Sequence, residues 1–526
     1  MPSSGDVLGI AQLIVYIGSP YSIFKKPHPS AMPTQLRNYV DGEWRSAASG
    51  HTFQTTNPAR PDAPIGTVPS SGPPDVDAAV TAAAAALDSW DRRPAPQRGT
   101  ILRTAGDLLA ERKDDIAQAM TREMGKPVFE TKGDVQEAID TAYYAAGETR
   151  RLFGRTVPSE LPNKMNMSIR RPVGVCGIIT AWNFPVAVPS WKILPALAAG
   201  NTVVFKPSEE APHSGLLFAR TLIDAGLPDG VLNVVHGNGE TGATLVEHPQ
   251  VDAVGFTGSY EVGTSIAETC GRRNKRVSLE MGGKNPMIVL DDADLDLALE
   301  GAIWGAYGTT GQRCTATSRL ICHEDIHDEL VTRIEAEANA LVLGDGTTPE
   351  TDIGPLINES ARRKVQRYVD LGVDEGAHLQ FGGNPASPDE LDGYFFEPTL
   401  FTDVTADMQV AQDEIFGPVL LVFEVASYEE AVAVANDTRF GLSSAIYTTD
   451  VDISHRAMRD LEAGITYVNG PTIGAEAHMP FGGVKDTGNG HRDGGWAAYD
   501  FFTEEKTVYV DYSGHLQKAQ MDSVSE

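Results

Sequence analysis

Two chemically reactive side chains, Glu280 and Cys314, each stand beside glycine-rich sequence in the middle of the chain. Glu280 opens the run Glu-Met-Gly-Gly-Lys (residues 280–284), and Cys314 closes Gly-Gln-Arg-Cys (residues 311–314). An ionised cysteine can attack an electrophilic carbon, and a glutamate can draw a proton from water. A nucleophile and a base in separate segments predict covalent catalysis in two steps.

Helices and strands must bring these two residues together. Between them, Ile-Trp-Gly-Ala-Tyr (residues 303–307) is apolar and predicts a buried helix. From Val173 onward, apolar strand-like runs alternate with helical segments, which is typical of a doubly wound parallel sheet. Such sheets bind their ligands at the carboxyl ends of the strands.

The remaining cysteines, Cys176, Cys270 and Cys322, stand in apolar surroundings, so core packing is their expected role. The chain has no Cys-x-x-Cys pair and no His-Glu-x-x-His run. This composition excludes a disulfide scaffold, gives no sign of a metal site and suits a reducing cytoplasm.

The charge of the chain is strongly negative. With 72 acidic and 42 basic residues, its formal net charge is −30 and its pI about 4.7. Such a surface repels nucleic acid and anionic membranes, so neither is an expected partner. We expect a halophilic cytoplasm, where high salt screens the self-repulsion. An ordinary acidic protein is the alternative.

Two glycine-rich loops compete for a dinucleotide. Residues 237–242 form a literal Gly-x-Gly-x-x-Gly between a strand and a helix, which alone would place the pyrophosphate there. Residues 256–259, Phe-Thr-Gly-Ser, also precede a helix whose amides could face a phosphate. The residues alone do not decide which of the two loops binds the dinucleotide.

The chain resembles the NAD(P)-dependent aldehyde dehydrogenases from about Tyr39 to about Val510. The motifs that carry this resemblance are those at residues 182–185 (Trp-Asn-Phe-Pro), 206–209 (Lys-Pro-Ser-Glu), 256–259, 280–284, 311–315, 414–418 (Glu-Ile-Phe-Gly-Pro) and 480–483 (Pro-Phe-Gly-Gly). The resemblance implies an α/β fold with a Rossmann-type cofactor domain, an α/β catalytic domain and a small oligomerisation ribbon. The cofactor domain is expected at residues 34–150 and 173–282, and the catalytic domain at residues 283–485. The oligomerisation segments are expected at residues 151–172 and 497–513. Residues 1–33 are predicted to be a disordered N-terminal extension; the alternative is that the chain starts at Met32, just before the resemblance begins.

The resemblance also implies catalytic roles. Cys314 is the expected nucleophile, and the Asn183 side chain forms the oxyanion hole with the Cys314 backbone N–H. Glu280 is the expected base that activates water to hydrolyse the thioester. Acylating relatives, which pass the thioester to coenzyme A, lack a glutamate at this position, so hydrolysis is favoured.

For the cofactor, the resemblance favours the second loop, with Gly258 and Ser259 at the pyrophosphate. Lys206 and Glu209 are expected at the adenosine ribose, where a carboxylate would repel a 2′-phosphate. We therefore expect NAD, with NADP as the alternative. The full predicted set is Ile179, Trp182, Lys206, Glu209, Gly239, Gly258, Ser259, Val262, Glu414 and Phe416, the last two at the nicotinamide ribose and ring.

The aldehyde itself is less constrained by sequence. Succinate-semialdehyde dehydrogenases often carry an arginine six positions before the cysteine, where this chain has Gly308. Residues 312–318 and 474–481 instead resemble the 2,5-dioxopentanoate dehydrogenases, and Arg313 is a candidate for binding a substrate carboxylate. Another semialdehyde, a small or aromatic aldehyde, and a non-catalytic scaffold are the alternatives.

Residues 158–172 have the alternation of exposed strands, with Met165, Met167 and Ile169 on one face. An exposed ribbon with an apolar face favours a subunit contact, and a homodimer or homotetramer is expected. Lys284 and Lys485 are predicted to be structural ion-pair partners.

Overall fold

The computed structural model describes residues 35–388 and 391–521 of the chain. The predicted extension, residues 1–33, lies outside the described residues. Within the described ranges no helix is both long enough and apolar enough to cross a membrane.

Helices and strands alternate along most of the described chain. The helices are α1 Pro73–Arg92, α2 Ala95–Glu111, α3 Lys113–Met124, α4 Val128–Glu148, α5 Ala187–Ala199, α6 Pro212–Asp224, α7 Gly239–Glu247, α8 Tyr260–Arg273, α9 Leu295–Tyr307, α10 Glu324–Ala340, α11 Glu359–Asp374, α12 Gln409–Gln412, α13 Tyr428–Asn436, α14 Val451–Asp460 and α15 Ala498–Phe502. The strands are β1 Asn38–Val40, β2 Glu43–Arg45, β3 Thr52–Asn57, β4 Arg60–Pro69, β5 Thr156–Pro158, β6 Lys164–Pro172, β7 Val175–Ile179, β8 Thr202–Lys206, β9 Leu232–Val234, β10 Ala253–Thr257, β11 Arg276–Glu280, β12 Asn285–Val289, β13 Thr317–His323, β14 His378–Phe381, β15 Thr399–Thr402, β16 Val419–Val425, β17 Phe440–Gly441, β18 Ser443–Tyr447, β19 Ile465–Val468, β20 Val484–Lys485 and β21 Thr503–Asp511.

The first large sheet has the order β11-β10-β7-β8-β9-β1-β2. Strands β7 to β11 pair in parallel, and the β1–β2 hairpin closes the edge antiparallel to β9. The chain runs outward from β7 through β8 to β9, then returns to the other side of β7 as β10. This reversal makes a topological switch point between β7 and β10, where α/β sheets bind ligands.

The second large sheet has the order β14-β15-β16-β13-β12-β18-β19 and is parallel except at the β14–β15 edge. Its central strands are buried on both faces, as their continuous apolar sequences require. The α/β fold with two mainly parallel sheets confirms the predicted fold class. Sequence placed the boundaries between domains at residues 150, 173 and 283, and this division stays a prediction.

A smaller antiparallel sheet, β21-β6-β5, joins the two predicted ribbon segments. β6 and β21 pair over their whole length, from Thr503 opposite Pro172 to Asp511 opposite Lys164. Met165 and Ile169 are exposed on this sheet, as are Tyr509 and Val510.

The helix predicted over residues 303–307 is the end of α9, but it is not wholly buried. Tyr307 is 1% exposed, whereas Trp304 is 38% exposed. The apolar sequence hides this difference because Trp304 lines an open cavity rather than the core.

Candidate active site

A cavity of about 510 Å³ brings together most of the predicted site. The predicted residues that line it are Trp182, Asn183, Gly258, Ser259, Cys314, Glu414 and Phe416. They come from the carboxyl ends of β7 and β10, the loop before β13 and the loop before β16. The switch point of the first sheet therefore opens toward the loop that carries Cys314.

The loop that carries Cys314 has an unusual backbone. In the 3₁₀ turn Gly308–Gly311, Thr309 and Thr310 have φ values of 53° and 58°. Left-handed conformations are costly for β-branched residues, so contacts must hold the turn. Gly311, at φ 66°, leaves no room for a Cβ beside the Gly417 carbonyl.

Glu130 of α4 makes the contacts that hold this turn. Its carboxylate accepts the Thr309 backbone N–H at 2.9 Å and also the Thr309 hydroxyl. It also pairs with Arg313, with the Arg313 Nη2 and Glu130 Oε2 atoms 2.6 Å apart. The buried carboxylate of Glu130 therefore holds Thr309 and Arg313 in place, and these residues position Cys314.

Cys314 lies against groups that both raise and lower its pKa. Burial, Glu414 and Glu280 together raise the pKa of the thiol to about 12, while the backbone amides of Cys314 and Thr315 favour the thiolate. The Asn183 side chain is buried and its Nδ2 donates to the Gln312 carbonyl at 3.1 Å. The amide's second hydrogen remains to serve an oxyanion.

Glu280, the predicted base, does not line the cavity. Its Oε1 occupies the space that a Cβ on Gly482 would need, and neither carboxyl oxygen has a side-chain hydrogen-bond partner among the described residues. Burial and the charge of Asp493 raise its pKa well above the usual range of a glutamate. Both effects favour the protonated form of Glu280 in this conformation.

The walls near β10 fit the predicted dinucleotide. Ser259 caps α8, its hydroxyl accepting the Val262 N–H at 3.4 Å. The buried Thr257 hydroxyl on the same wall has no hydrogen-bond partner among the described residues. A helix N-terminus with an unpartnered donor beside it suits a pyrophosphate.

The loop before β16 supplies the other predicted contacts. Glu414 Oε1 accepts the Gly283 N–H at 3.1 Å, and burial raises the pKa of Glu414. Phe416 meets Trp182 edge to face, with ring centroids 5.7 Å apart. Lys364 of α11 also lines the cavity and favours the ionised form of Glu414.

Five predicted cofactor residues lie outside the cavity wall. Ile179 and Lys206 end adjacent strands and flank Gly242 of α7, and Lys206 Nζ pairs with Glu209 Oε2 at 2.8 Å. Gly239 begins α7 and Val262 lies in the first turn of α8, both exposed. Their cofactor roles stay predictions.

Arg313, the candidate for binding a substrate carboxylate, lines the cavity, and that role stays a prediction. Besides its pair with Glu130, its guanidinium stacks 4.5 Å from the Trp304 ring centroid. Lys126 and Asp134 form a second buried pair, at 3.2 Å. Sequence reasoning missed this arrangement because it fixes no side-chain direction.

The predicted structural roles are mixed in outcome. Lys485 pairs with Glu462 at 2.8 Å, as predicted, whereas Lys284 Nζ donates to the backbone carbonyls of Val410 and Asp413. The predicted ion pair of Lys284 was wrong, because backbone carbonyls rather than a carboxylate accept the hydrogen bonds of its ammonium group. Cys176, Cys270 and Cys322 lie in hydrophobic clusters, as predicted.

Three possible metal ligands lie close together elsewhere. The ligand atoms of Asp291, His323 and Asp325 are all within 4.8 Å of one another, and none of these residues lines the cavity.

Sequence reasoning missed three acids on one helix. Glu130, Asp134 and Glu137 of α4 all line the cavity. Their spacing, i, i+4 and i+7, places them on one helical face and was a readable signal. An acidic stripe of this kind is ordinarily a solvated face, so the spacing alone does not indicate that these acids line a cavity.

Comparison with known proteins agrees with this geometry. The aldehyde dehydrogenase family model matches residues 44–508. An alpha-ketoglutarate semialdehyde dehydrogenase of Haloferax volcanii is 45% identical, covering 91% of this chain and all of the relative. The NADP-dependent succinate-semialdehyde dehydrogenase of Escherichia coli is 39% identical, over 88% of this chain and 95% of its own length.

A solved structure extends the likeness to the cofactor. Betaine aldehyde dehydrogenase from Staphylococcus aureus, in complex with NAD+, superposes with a TM-score of 0.90 at 33% identity, covering 93% of this chain and 98% of that one. With the family model matching most of the chain, this protein belongs to the aldehyde dehydrogenase family and is an NAD(P)-dependent oxidoreductase.

Proposed function

We propose that this protein oxidises 2,5-dioxopentanoate to the dicarboxylic acid through a thioester on Cys314. The observation that carries the mechanism is the placement of Cys314 and Asn183 on the wall of the same cavity as Gly258, Ser259 and Glu414. A nucleophile, an amide donor and a phosphate-binding turn thus meet in one space.

The first chemical step is addition. Cys314, as a thiolate stabilised by two backbone amides, adds to the aldehyde carbon, and the carbonyl oxygen becomes an oxyanion. The free hydrogen of the Asn183 amide and the Cys314 backbone N–H receive this oxyanion. The nicotinamide cofactor, when bound, supplies the acceptor for the hydride that leaves the tetrahedral carbon.

The second step is hydrolysis of the thioester that remains on Cys314. Glu280 takes a proton from water as the water attacks the acyl carbon, and the cysteine leaves as a thiolate. In the conformation described, Glu280 faces Gly482, so its side chain turns toward Cys314 to act. Leaving the site beside Asp493 also lowers the pKa of Glu280, which makes it a competent base.

The choice of substrate rests on the relatives and on the sequence of two segments that contribute residues to the cavity wall. The relative from Haloferax volcanii is named for alpha-ketoglutarate semialdehyde, which is 2,5-dioxopentanoate. Residues 312–318 and 474–481 had suggested the same substrate. Succinate semialdehyde, named for the Escherichia coli relative, is the competing acid.

Three further properties belong to the proposal. The exposed apolar side chains on the β21-β6-β5 sheet support a homodimer or homotetramer. The net charge of −30 and the relative in Haloferax volcanii support a salt-adapted enzyme of the cytoplasm. The Lys206–Glu209 pair supports NAD over NADP, because Glu209 would repel a 2′-phosphate.

The test is reduced-nicotinamide formation in concentrated KCl, with NAD or NADP and a panel of 2,5-dioxopentanoate, succinate semialdehyde, glyceraldehyde and benzaldehyde. Cys314→Ala runs beside the wild type. Turnover highest with 2,5-dioxopentanoate and absent from the variant supports the proposal. A different preferred aldehyde overturns the substrate, and turnover that requires coenzyme A overturns hydrolysis.

A further inference from the structure

Glu137 of α4 lines the cavity but has no part in the mechanism above. Its Oε1 atom is buried and has no hydrogen-bond partner among the described residues. The Trp191 indole, which also lines the cavity, donates to the same carboxyl group. One oxygen of Glu137 is therefore held by the protein, while the other is unsatisfied.

The other acids on this face of α4 are neutralised by cations. Glu130 pairs with Arg313, and Asp134 pairs with Lys126. No salt bridge of Glu137 is present within residues 35–388 and 391–521. Leaving a buried carboxyl oxygen unpaired is unfavourable, and a ligand that supplies the hydrogen-bond partner would remove that cost.

Glu137 and Cys314 lie around one tyrosine. Burial, with smaller contributions from Glu137, Cys314 and Glu476, raises the pKa of the Tyr467 hydroxyl to about 12. Tyr467 itself donates a hydrogen bond to the carbonyl of Gly474, which lines the cavity. An aldehyde bound at Cys314 would thus extend its far end through space that Glu137 borders.

We propose that Glu137 recognises the far end of the substrate, where it acts as a neutral carboxylic acid that donates a hydrogen bond to a substrate carboxylate. The inference rests on the proposed oxidation of an aldehyde that carries an acid group. Glu137, which by its residue type would be expected to repel an anion, would then select an anionic substrate.

The surroundings of Glu137 favour the neutral form. Burial, Asp134 and Asp140 raise the pKa of Glu137 to about 8, against the opposing effects of Trp191 and Lys126. Further titratable groups on this side of the cavity are the Arg313–Glu130 pair and Tyr467, whose pKa Cys314 and Glu476 also raise. Below pH 8 Glu137 donates, whereas above it the carboxylate repels an anion.

The test compares aldehydes of different charge in the full-length wild type. The readout is kcat/KM for 2,5-dioxopentanoate divided by kcat/KM for uncharged pentanal, from pH 6.5 to 9.5, because the ratio cancels ionisations common to both reactions. We expect the ratio to fall about tenfold or more as pH rises through 8, as a hydrogen bond to a charged group is lost. The same ratio for cationic betaine aldehyde should rise.

Two variants separate recognition from packing. Glu137→Gln keeps the shape and a donor, so its ratio should be independent of pH and close to the low-pH wild type. Glu137→Leu should lower the ratio about tenfold or more at every pH. Glu111→Gln, an exposed residue at the end of α2, is the matched control and should retain the wild-type pH trend.

Each contrary result is distinct. A wild-type ratio that ignores pH, or a Glu137→Leu variant that weakens both aldehydes equally, overturns the inference and leaves the oxidation intact. If the protein oxidises pentanal but not 2,5-dioxopentanoate, the inference about Glu137 and the proposed substrate are both overturned. No oxidation of any aldehyde overturns the proposed function as well.

Discussion

Replacing Glu130 with glutamine should damage the cysteine loop without touching the nucleophile. Glu130 is the acceptor for the Thr309 N–H, the Thr309 hydroxyl and Arg313. Glutamine keeps the size of the side chain but loses the charge and turns one acceptor into a donor. Its amide cannot satisfy all three groups, so the turn loses part of its support.

The magnitude follows from burial. The two side chains of the Glu130–Arg313 pair are 1% and 9% exposed, and breaking a pair so buried costs about 3–5 kcal/mol. Unfolding entropy is about 2 cal/mol/K per residue, so a chain of this length should lose about 3–5 °C in Tm. Thr309 and Thr310, each strained by about 1–3 kcal/mol, then relax and displace Cys314.

A displacement of the nucleophile should appear in kcat. A misplacement of about 1 Å can cost about 100-fold in rate, so we expect kcat to fall about 10- to 100-fold. The assays are thermal unfolding and single-turnover reduction of the cofactor, both in high salt. Glu111→Gln, an exposed residue at the end of α2, is the control and should change neither quantity.

The reasoning would be refuted if Glu130→Gln kept both the wild-type Tm and the wild-type kcat. A lowered Tm with unchanged kcat would also contradict it, since Glu130 would then stabilise the fold without positioning Cys314.

Three more predictions address salt, acid and the free thiol. Activity should collapse in dilute buffer and return in concentrated KCl, because unscreened charges repel one another; full activity without salt would contradict the salt adaptation. His213 and His236 are buried, and burial lowers their pKa to about 4 and about 3, so the unfolded chain binds more protons below about pH 6.5. Stability should therefore fall on acidification by up to about 1.4 kcal/mol per pH unit for each histidine, and His236→Gln should reduce the slope of Tm against pH; an unchanged slope would argue against this cause. Because the Cys314 pKa is about 12 in the ligand-free protein, its alkylation by iodoacetamide should rise steadily between pH 7 and 10; a plateau near pH 8 would disprove the raised pKa.

Sequence predicted the residues at the ends of strands well. Trp182 and Gly258 follow apolar strands, and Glu414 begins a loop that ends at a proline. Backbone geometry alone brings positions after parallel strands to one edge of a sheet. The parallel sheets were predictable for the same reason, since buried strands are short apolar runs.

Sequence did not predict where long side chains point. Glu280 lies against Gly482 rather than on the cavity wall, and Arg313 pairs with Glu130. Both directions depend on partners far away in the chain, which spacing does not reveal. The acidic face of α4 was visible as a pattern, but its pairing with Lys126 and Arg313 was not.

The most direct test of the central claim is intact-mass spectrometry of Glu280→Gln mixed with NAD and 2,5-dioxopentanoate. The account predicts one burst of reduced cofactor per active site and an acyl adduct that maps to Cys314, because the thioester forms but is not hydrolysed. Steady turnover without an adduct, or an adduct on another residue, would contradict it.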